Sequence, residues 1–363
     1  MKKGKIDYLL FATVIIISIF GIIMIYSASS IWAEYKFQDP LKFVKSQSLF
    51  FFISVFLCLF ISKIPYSFWK KNANKILGIC FILLVLVLIP GIGTVRNGSR
   101  SWFGIGGLGI QPSEFAKIGL IIFVSKYLSN NQKDLKSIKK GVLPILGIIF
   151  LFFGLIMLEP DFGTAMVIVL TLFSLIFISG VKISFFVKIG LLGLLGIVGL
   201  IIVAPYRMAR IVSFLNPWSD PLGSGFQIIQ SLYAIGPGGL LGQGFLNSHQ
   251  KHFYLPEPQT DFIFSIISEE FGFLGVLIVV SFFFFIFYRS IKISLNSNDL
   301  FSKFLSFGLA IGILIQATLN LAVVIGLIPV TGVTLPFFSY GGSSLLTSMI
   351  SIGMILGISR NCH

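Results

Sequence analysis

Apolar runs of about twenty residues recur from one end of the chain to the other, and no other feature restricts the fold as tightly. Each run is long enough to cross a hydrocarbon core of about 30 Å as a helix. Backbone groups in lipid must be satisfied inside the spanning structure, which leaves helices or closed barrels. A barrel would show alternating segments of about ten residues. These runs are instead continuous and rich in Leu, Ile and Phe. Charged residues are 11% of the 363, hydrophobic residues 56%, and mean hydropathy is +0.97. So little charge cannot cover a soluble surface, and the chain reads as an all-α integral membrane protein. Residues 1–363 form one polytopic membrane domain in this reading.

Ten transmembrane helices are expected, at roughly 8–28, 47–63, 75–92, 112–129, 141–158, 162–180, 184–204, 262–288, 302–327 and 338–358. The first run follows MKKGKIDY without a clear small-residue cleavage site, so it is read as a retained span. Orientation follows from Lys and Arg in the loops. One set of loops carries 18 of the 27 basic residues, from Lys2, Lys3 and Lys5 through Lys139 and Lys140 to Arg360. That set is assigned to the cytoplasm, with both termini. The net charge of +14 then reflects topology and attraction to anionic lipid headgroups, not nucleic-acid binding. The other side carries a large extracytoplasmic loop, 205–261, between spans 7 and 8. The three cysteines, Cys58, Cys80 and Cys362, form no metal or disulfide pattern.

The scarce carboxylates are not spread evenly. Four of the 13 lie in YLPEPQTDFIFSIISEE, residues 254–270. Asp261 stands at the outer mouth of span 8, where it can be a helix N-cap or a general base partly withdrawn from water. Glu269 falls on the same helical face eight residues on, with Ser265 between. An ion pair holding the bundle is the expectation there, with Glu270 pointing elsewhere. In QPSEFAK, Glu114 and Lys117 have the spacing of an intrahelical pair near the outer end of span 4. In EPDFGT, Glu159 and Asp161 sit on a tight outer turn, read as a solvated turn with divalent-ion binding as the alternative. Arg96 and Arg100 in TVRNGSRSWF, Arg207 and Arg210 in YRMAR, and Lys251 in NSHQKHFY are cations on the disfavoured side. They suit either phosphate or headgroup contacts. The stretch GPGGLLGQG, 236–244, lacks the Lys-Ser/Thr and preceding strand of a phosphate loop, so no nucleotide site is expected. The residues alone describe an outward-facing polar site suited to a lipid-linked anionic substrate.

IYSASS (25–30), NGSRSWF (97–103), QPSEFAK (111–117), EPDFGT (159–164), QSLYAIGPGGLLGQG (230–244), YLPEPQTDFIF (254–264) and LPFFSYGGSS (335–344) occur in this order. Together they resemble the SEDS family, named for shape, elongation, division and sporulation, along nearly the whole chain. LNSHQKHFYLPEPQTDF looks most like the division and sporulation (FtsW/SpoVE) branch, with the RodA elongation branch next.

The resemblance implies the SEDS fold and a peptidoglycan glycosyltransferase acting on lipid II and a growing glycan strand. It places the protein in the bacterial cytoplasmic membrane, at the division septum. It implies Asp261 as the catalytic aspartate of the Thr-Asp-Phe motif, and Gln259 stands where the family often has His. Arg96, Arg100, Lys117, Arg210 and Lys251 become candidates for substrate phosphate contacts. Glu114 and Asp161 become candidates for a divalent metal, Mg or Mn. Glu257, Glu269 and Ser265 are structural supports. No organic cofactor is expected. The implied partners are a class B penicillin-binding protein, divisome proteins and membrane lipids, and no nucleic acid. A lipid II flippase and a RodA-like elongation polymerase are the alternatives.

Overall fold

The computed structural model describes residues 4–96, 98–105, 108–191, 193, 214–223 and 225–361. Long helices dominate it: α1 (Tyr8–Phe37), α2 (Lys42–Ile61), α3 (Tyr66–Leu88), α4 (Pro112–Asn130), α5 (Leu143–Leu158) and α6 (Phe162–Ile178), then the short α7 (Phe226–Ile235), and finally α8 (Ile263–Leu295), α9 (Leu300–Val324) and α10 (Gly342–Ser359). Among the described residues, seven helical stretches are long and apolar enough to cross a membrane: α1, α2, α3, Ile138–Leu158, α8, α9 and α10. At 17 residues α6 is a shorter apolar helix. The segment expected as 184–204 lies mostly outside the described residues, with helix seen over 183–191.

Local chemistry sets the helix ends. Asp7 caps α1 by accepting from the Leu10 N–H at 3.0 Å, and Asp299 caps α9 by accepting from Phe301 N–H at 3.2 Å. Pro112 opens α4, where a missing N–H costs nothing. The first span was expected to end near residue 28, yet α1 runs on to Phe37 because its last turns pack Trp32 against Phe37 and Phe43.

Buried apolar side chains from α1, α2, α4, α6, α8, α9 and α10 form one core. At one end of the bundle Arg289 pairs with Asp7 at 2.6 Å, and Lys70 with Asp299 at 3.5 Å. At the opposite end the loop between α3 and α4 forms a three-stranded antiparallel sheet: β1 (Thr94–Arg96), β2 (Ser99–Ile105) and β3 (Leu108–Ile110), in the order β1-β2-β3.

In the outer loop the GPGGLLGQG stretch runs beside α8. There α8 breaks at Gly272, with φ 61° and ψ −158°, roughly 14 Å along the helix from its start. The break frees backbone groups that water cannot reach, and the loop supplies their partners. Gln243 N–H and Gly244 N–H donate to the carbonyls of Glu269 and Glu270, while Phe273 and Leu274 N–H donate to the carbonyls of Gly239 and Leu240. Such non-helical backbone inside a bundle is tolerated only when paired in this way. A Cβ on Gly272 would lie 2.4 Å from the Gly242 nitrogen, so only glycine permits the approach. The glycines of this phosphate-loop-like stretch thus fill a packing requirement.

Candidate active site

The sheet, the N-termini of α4 and α6, the segment before α8 and the segment before α10 enclose a cavity of about 400 Å³. Glu114, Lys117, Asp161, Glu257 and Asp261 all line it, with Trp102, Gln316 and a set of serine and threonine hydroxyls. Four carboxylates against one ammonium make its described wall acidic.

Asp261 is not the N-cap of α8. Phe262 holds that position and makes no side-chain cap bond, which leaves the Asp261 carboxylate free of the helix end. Its Oδ1 lies 2.8 Å from the Thr260 hydroxyl. That hydroxyl is also 2.8 Å from the Glu257 carbonyl, and its single proton serves one acceptor at a time. Burial raises the Asp261 pKa above the ordinary carboxylate range; the Thr260 bond opposes the shift and the charge of Glu257 adds to it. The backbone carbonyl of Asp261 accepts from Asn320 Nδ2 at 2.7 Å.

On the facing wall, Lys117 Nζ donates to Glu114 Oε2 at 2.8 Å and to Gln316 Oε1 at 2.6 Å. Thr347 donates to the same Glu114 oxygen at 2.9 Å, and Gln316 Nε2 reaches Thr334 and Ser344. The Glu114–Lys117 pair expected from the spacing is therefore present, extended into a buried network over α4, α9 and α10. Asp161 caps α6 through Thr164 N–H at 3.1 Å and accepts from Gln111 Nε2 at 2.7 Å. Its pKa is raised, chiefly by burial.

The turn carrying Glu159 is tight but not solvated. Glu159 is fully buried, and neither carboxylate oxygen has a hydrogen-bond partner among the described residues. Burial, then the neighbouring Asp161 charge, pushes its pKa up to about 8. Ser99 donates to its backbone carbonyl, which ties the turn to β2.

Three expected site residues are placed elsewhere. Lys251 is buried away from the cavity, 3.2 Å from Glu270 Oε1 and 3.4 Å from the Ser27 hydroxyl, with no access to a substrate phosphate. Arg100 does not line the cavity; its guanidinium turns back to the Leu88 carbonyl at 3.5 Å. Glu269 makes no ion pair among the described residues. It accepts from the Ser248 hydroxyl and from the N–H groups of His249 and Gln250, holding the outer loop, while the expected bundle ion pair belongs to Glu270. Ser265 contacts Ser231 at 2.8 Å, and Ser231 in turn donates to the Val324 carbonyl, so this support joins α7, α8 and α9. Glu257 lines the cavity with φ 45°, its carbonyl turned to Thr260 N–H. Arg96 lies in β1 and its side chain is outside the described residues, as are Arg207 and Arg210.

Gln316 and Asn320 are the site residues that reading the sequence missed. Their signal was available: two amides one helical turn apart in an apolar span are costly unless they face partners.

Among the described residues no three acidic, His or Cys side chains gather within reach of one ion. Both Asp161 oxygens and Oε2 of Glu114 are already engaged. These residues do not form a resident metal site as they stand.

Comparison with known proteins converges on one group. A family model described as "Cell cycle protein", covering FtsW, RodA and SpoVE, matches residues 7–363. Stage V sporulation protein E of Bacillus subtilis (strain 168) is 53% identical, over 99% of this chain and 98% of its own. A Trichlorobacter lovleyi protein named "Probable peptidoglycan glycosyltransferase FtsW" is 41% identical over 99% of this chain and 94% of its own. Among solved structures, a chain of a peptidoglycan synthase complex superposes with TM-score 0.80 at 30% identity, covering 99% of this chain and 98% of that one. The rod shape determining protein RodA of Thermus thermophilus gives TM-score 0.73 at 28% identity, with the same coverage.

Proposed function

The chain belongs to the FtsW, RodA and SpoVE family of cell cycle proteins, and from that membership we propose that it is a peptidoglycan glycosyltransferase polymerising lipid II on the outer face of a bacterial cytoplasmic membrane. In this reading the chain has ten spans with both termini in the cytoplasm, and the cavity opens to the outer face. The observation that carries the reading is Asp261: a carboxylate of raised pKa, uncommitted to helix capping, on the wall of a hydroxyl-lined cavity at one end of the bundle.

In the proposed reaction Asp261 takes the proton of an acceptor sugar hydroxyl as that oxygen attacks the anomeric carbon of the donor. The new carbon–oxygen bond forms while the bond to the undecaprenyl pyrophosphate breaks, and the pyrophosphate leaves with the electron pair. Asp261 then returns its proton to water. A pyrophosphate is a good leaving group, so one base suffices where glycosidases need two carboxyl groups. Its negative charge meets an acidic described wall, so a divalent ion (Mg or Mn) is proposed only as a companion of the substrate.

A flippase would need a polar route through the bundle. Among the described residues Ile121, Leu172, Leu309 and Ile313, on the helices that carry Lys117 and Gln316 and on α6, are buried in the apolar core, which supports polymerisation at one face. The relatives place the protein with FtsW and SpoVE, so the proposed setting is septal wall synthesis beside a class B penicillin-binding protein and divisome proteins.

The test is the purified full-length chain with lipid II, with and without its class B partner, scored for glycan chains on a gel and for transbilayer movement in liposomes. Glycan chains support the proposal. Movement of lipid II without polymer, in the presence of active partner, refutes it.

A further inference from the structure

We propose that Asn320 is a positioning residue for Asp261, an assignment that rests on reading Asp261 as the base. Asn320 lies on α9 and is 1% exposed. Its Nδ2 donates at 2.7 Å to the carbonyl of Asp261 and at 2.7 Å to the carbonyl of Val333. Both neighbours are acceptors, so the amide has only one orientation: the nitrogen faces them, and both of its N–H groups are used.

The two carbonyls belong to two different segments that line the cavity. Thr260 and Asp261 line it from the segment before α8, and Thr331, Gly332, Val333 and Thr334 line it from the segment before α10. One side chain therefore ties the segment that carries the base to the segment before α10. The stretch around Asp261 has few other restraints, because Phe262 begins α8 without a side-chain cap. On the far side of Asp261, Gln259 accepts from Tyr340 N–H at 2.8 Å, which ties the same two segments a second time. Among the described residues the amide oxygen of Asn320 has no partner, and it is buried. Leaving it so costs free energy, and the two donor bonds are what the position gains in exchange.

The consequence is geometric. A base must sit within hydrogen-bond reach of the hydroxyl it deprotonates, and a misplacement of about 1 Å costs on the order of a hundredfold in rate. Substrate is held by the rest of the cavity, so losing the clamp is read in kcat and not in KM.

Two substitutions test this in the full-length chain with lipid II. Asn320→Asp keeps the shape and replaces two donors by acceptor oxygens facing two carbonyls. Asn320→Ser shortens the side chain so that it cannot reach both carbonyls, and small residues are well tolerated between membrane helices. In folded protein, kcat is expected to fall at least about tenfold, with KM for lipid II within about twofold of wild type. Either folded variant with wild-type kcat would overturn the assignment. So would a loss of kcat that tracks a lowered melting midpoint, or failure of both variants to fold, since Asn320 would then serve the fold alone. Asp261→Asn is run beside them: if it stays active, the base itself is misassigned, whereas an inactive Asp261→Asn with a fully active Asn320→Asp removes only the positioning role.

Discussion

Asp261 and Glu159 are both carboxyl groups withdrawn from water at the outer end of the bundle, and they differ in what surrounds them. Asp261 has a hydroxyl neighbour and an open cavity; among the described residues the Glu159 carboxylate has neither hydrogen-bond partner nor access. For Asp261 the raised pKa matters to catalysis, because the base must be ionised to work. Activity is therefore expected to fall as pH drops through that raised value, so the acid limb of the kcat profile lies above the ordinary carboxylate range. For Glu159 it matters to stability. A carboxyl whose folded pKa is raised favours the fold while protonated, and that contribution is lost as pH climbs from its ordinary value through about 8. Within that window a rise of one pH unit removes at most about 1.4 kcal/mol. Melting midpoints measured from mildly acidic pH up to about 8 should decline through this group in the wild type, and Glu159→Gln should flatten that decline. An unchanged slope in the variant would mean that Glu159 is ionised in the folded protein.

Among the elements, α8 with its glycine-rich companion strip is the least ordinary. Its upper part, before the break at Gly272, carries Glu269 and Glu270, and both anchor the outer loop. Gly272→Ala forces a side chain into a backbone region that L residues avoid and against the Gly242 nitrogen. The conformation alone costs about 1–3 kcal/mol, and the overlap adds to it. Thermal unfolding in detergent should register a lowered midpoint. Lys251→Met leaves Glu270 as an uncompensated buried charge, a loss of about 3–5 kcal/mol, whereas pairing it with Glu270→Leu should recover much of that stability. A Lys251→Met protein as stable as wild type would show that the pair does not hold the loop.

At the scale of the whole molecule, the apolar runs announced a helical membrane protein because lipid leaves the backbone few choices. Asp261, Glu114 and Lys117 were legible because a charge beside or inside a span needs a reason. What stayed hidden depends on contacts distant in sequence. The sheet over 94–110 is held by pairing that no periodicity marks in so short a stretch. Lys251 looked like a free cation because its partners, Ser27 and Glu270, come from α1 and α8. Asn320 is marked in the sequence only as a second amide one turn from Gln316, and the two segments that it joins, before α8 and before α10, are far apart in the chain.

The central claim is that one carboxylate at the outer end of the bundle deprotonates the attacking sugar. Its most direct measurement is glycan-strand formation from lipid II by Asp261→Asn beside wild type, at equal amounts of folded full-length protein with the class B partner present. Losing a general base costs about 10²–10⁴-fold. The prediction is that strands form with wild type and fall by at least that factor with Asp261→Asn, while lipid II binding is retained. Strands made by Asp261→Asn at the wild-type rate would contradict the claim.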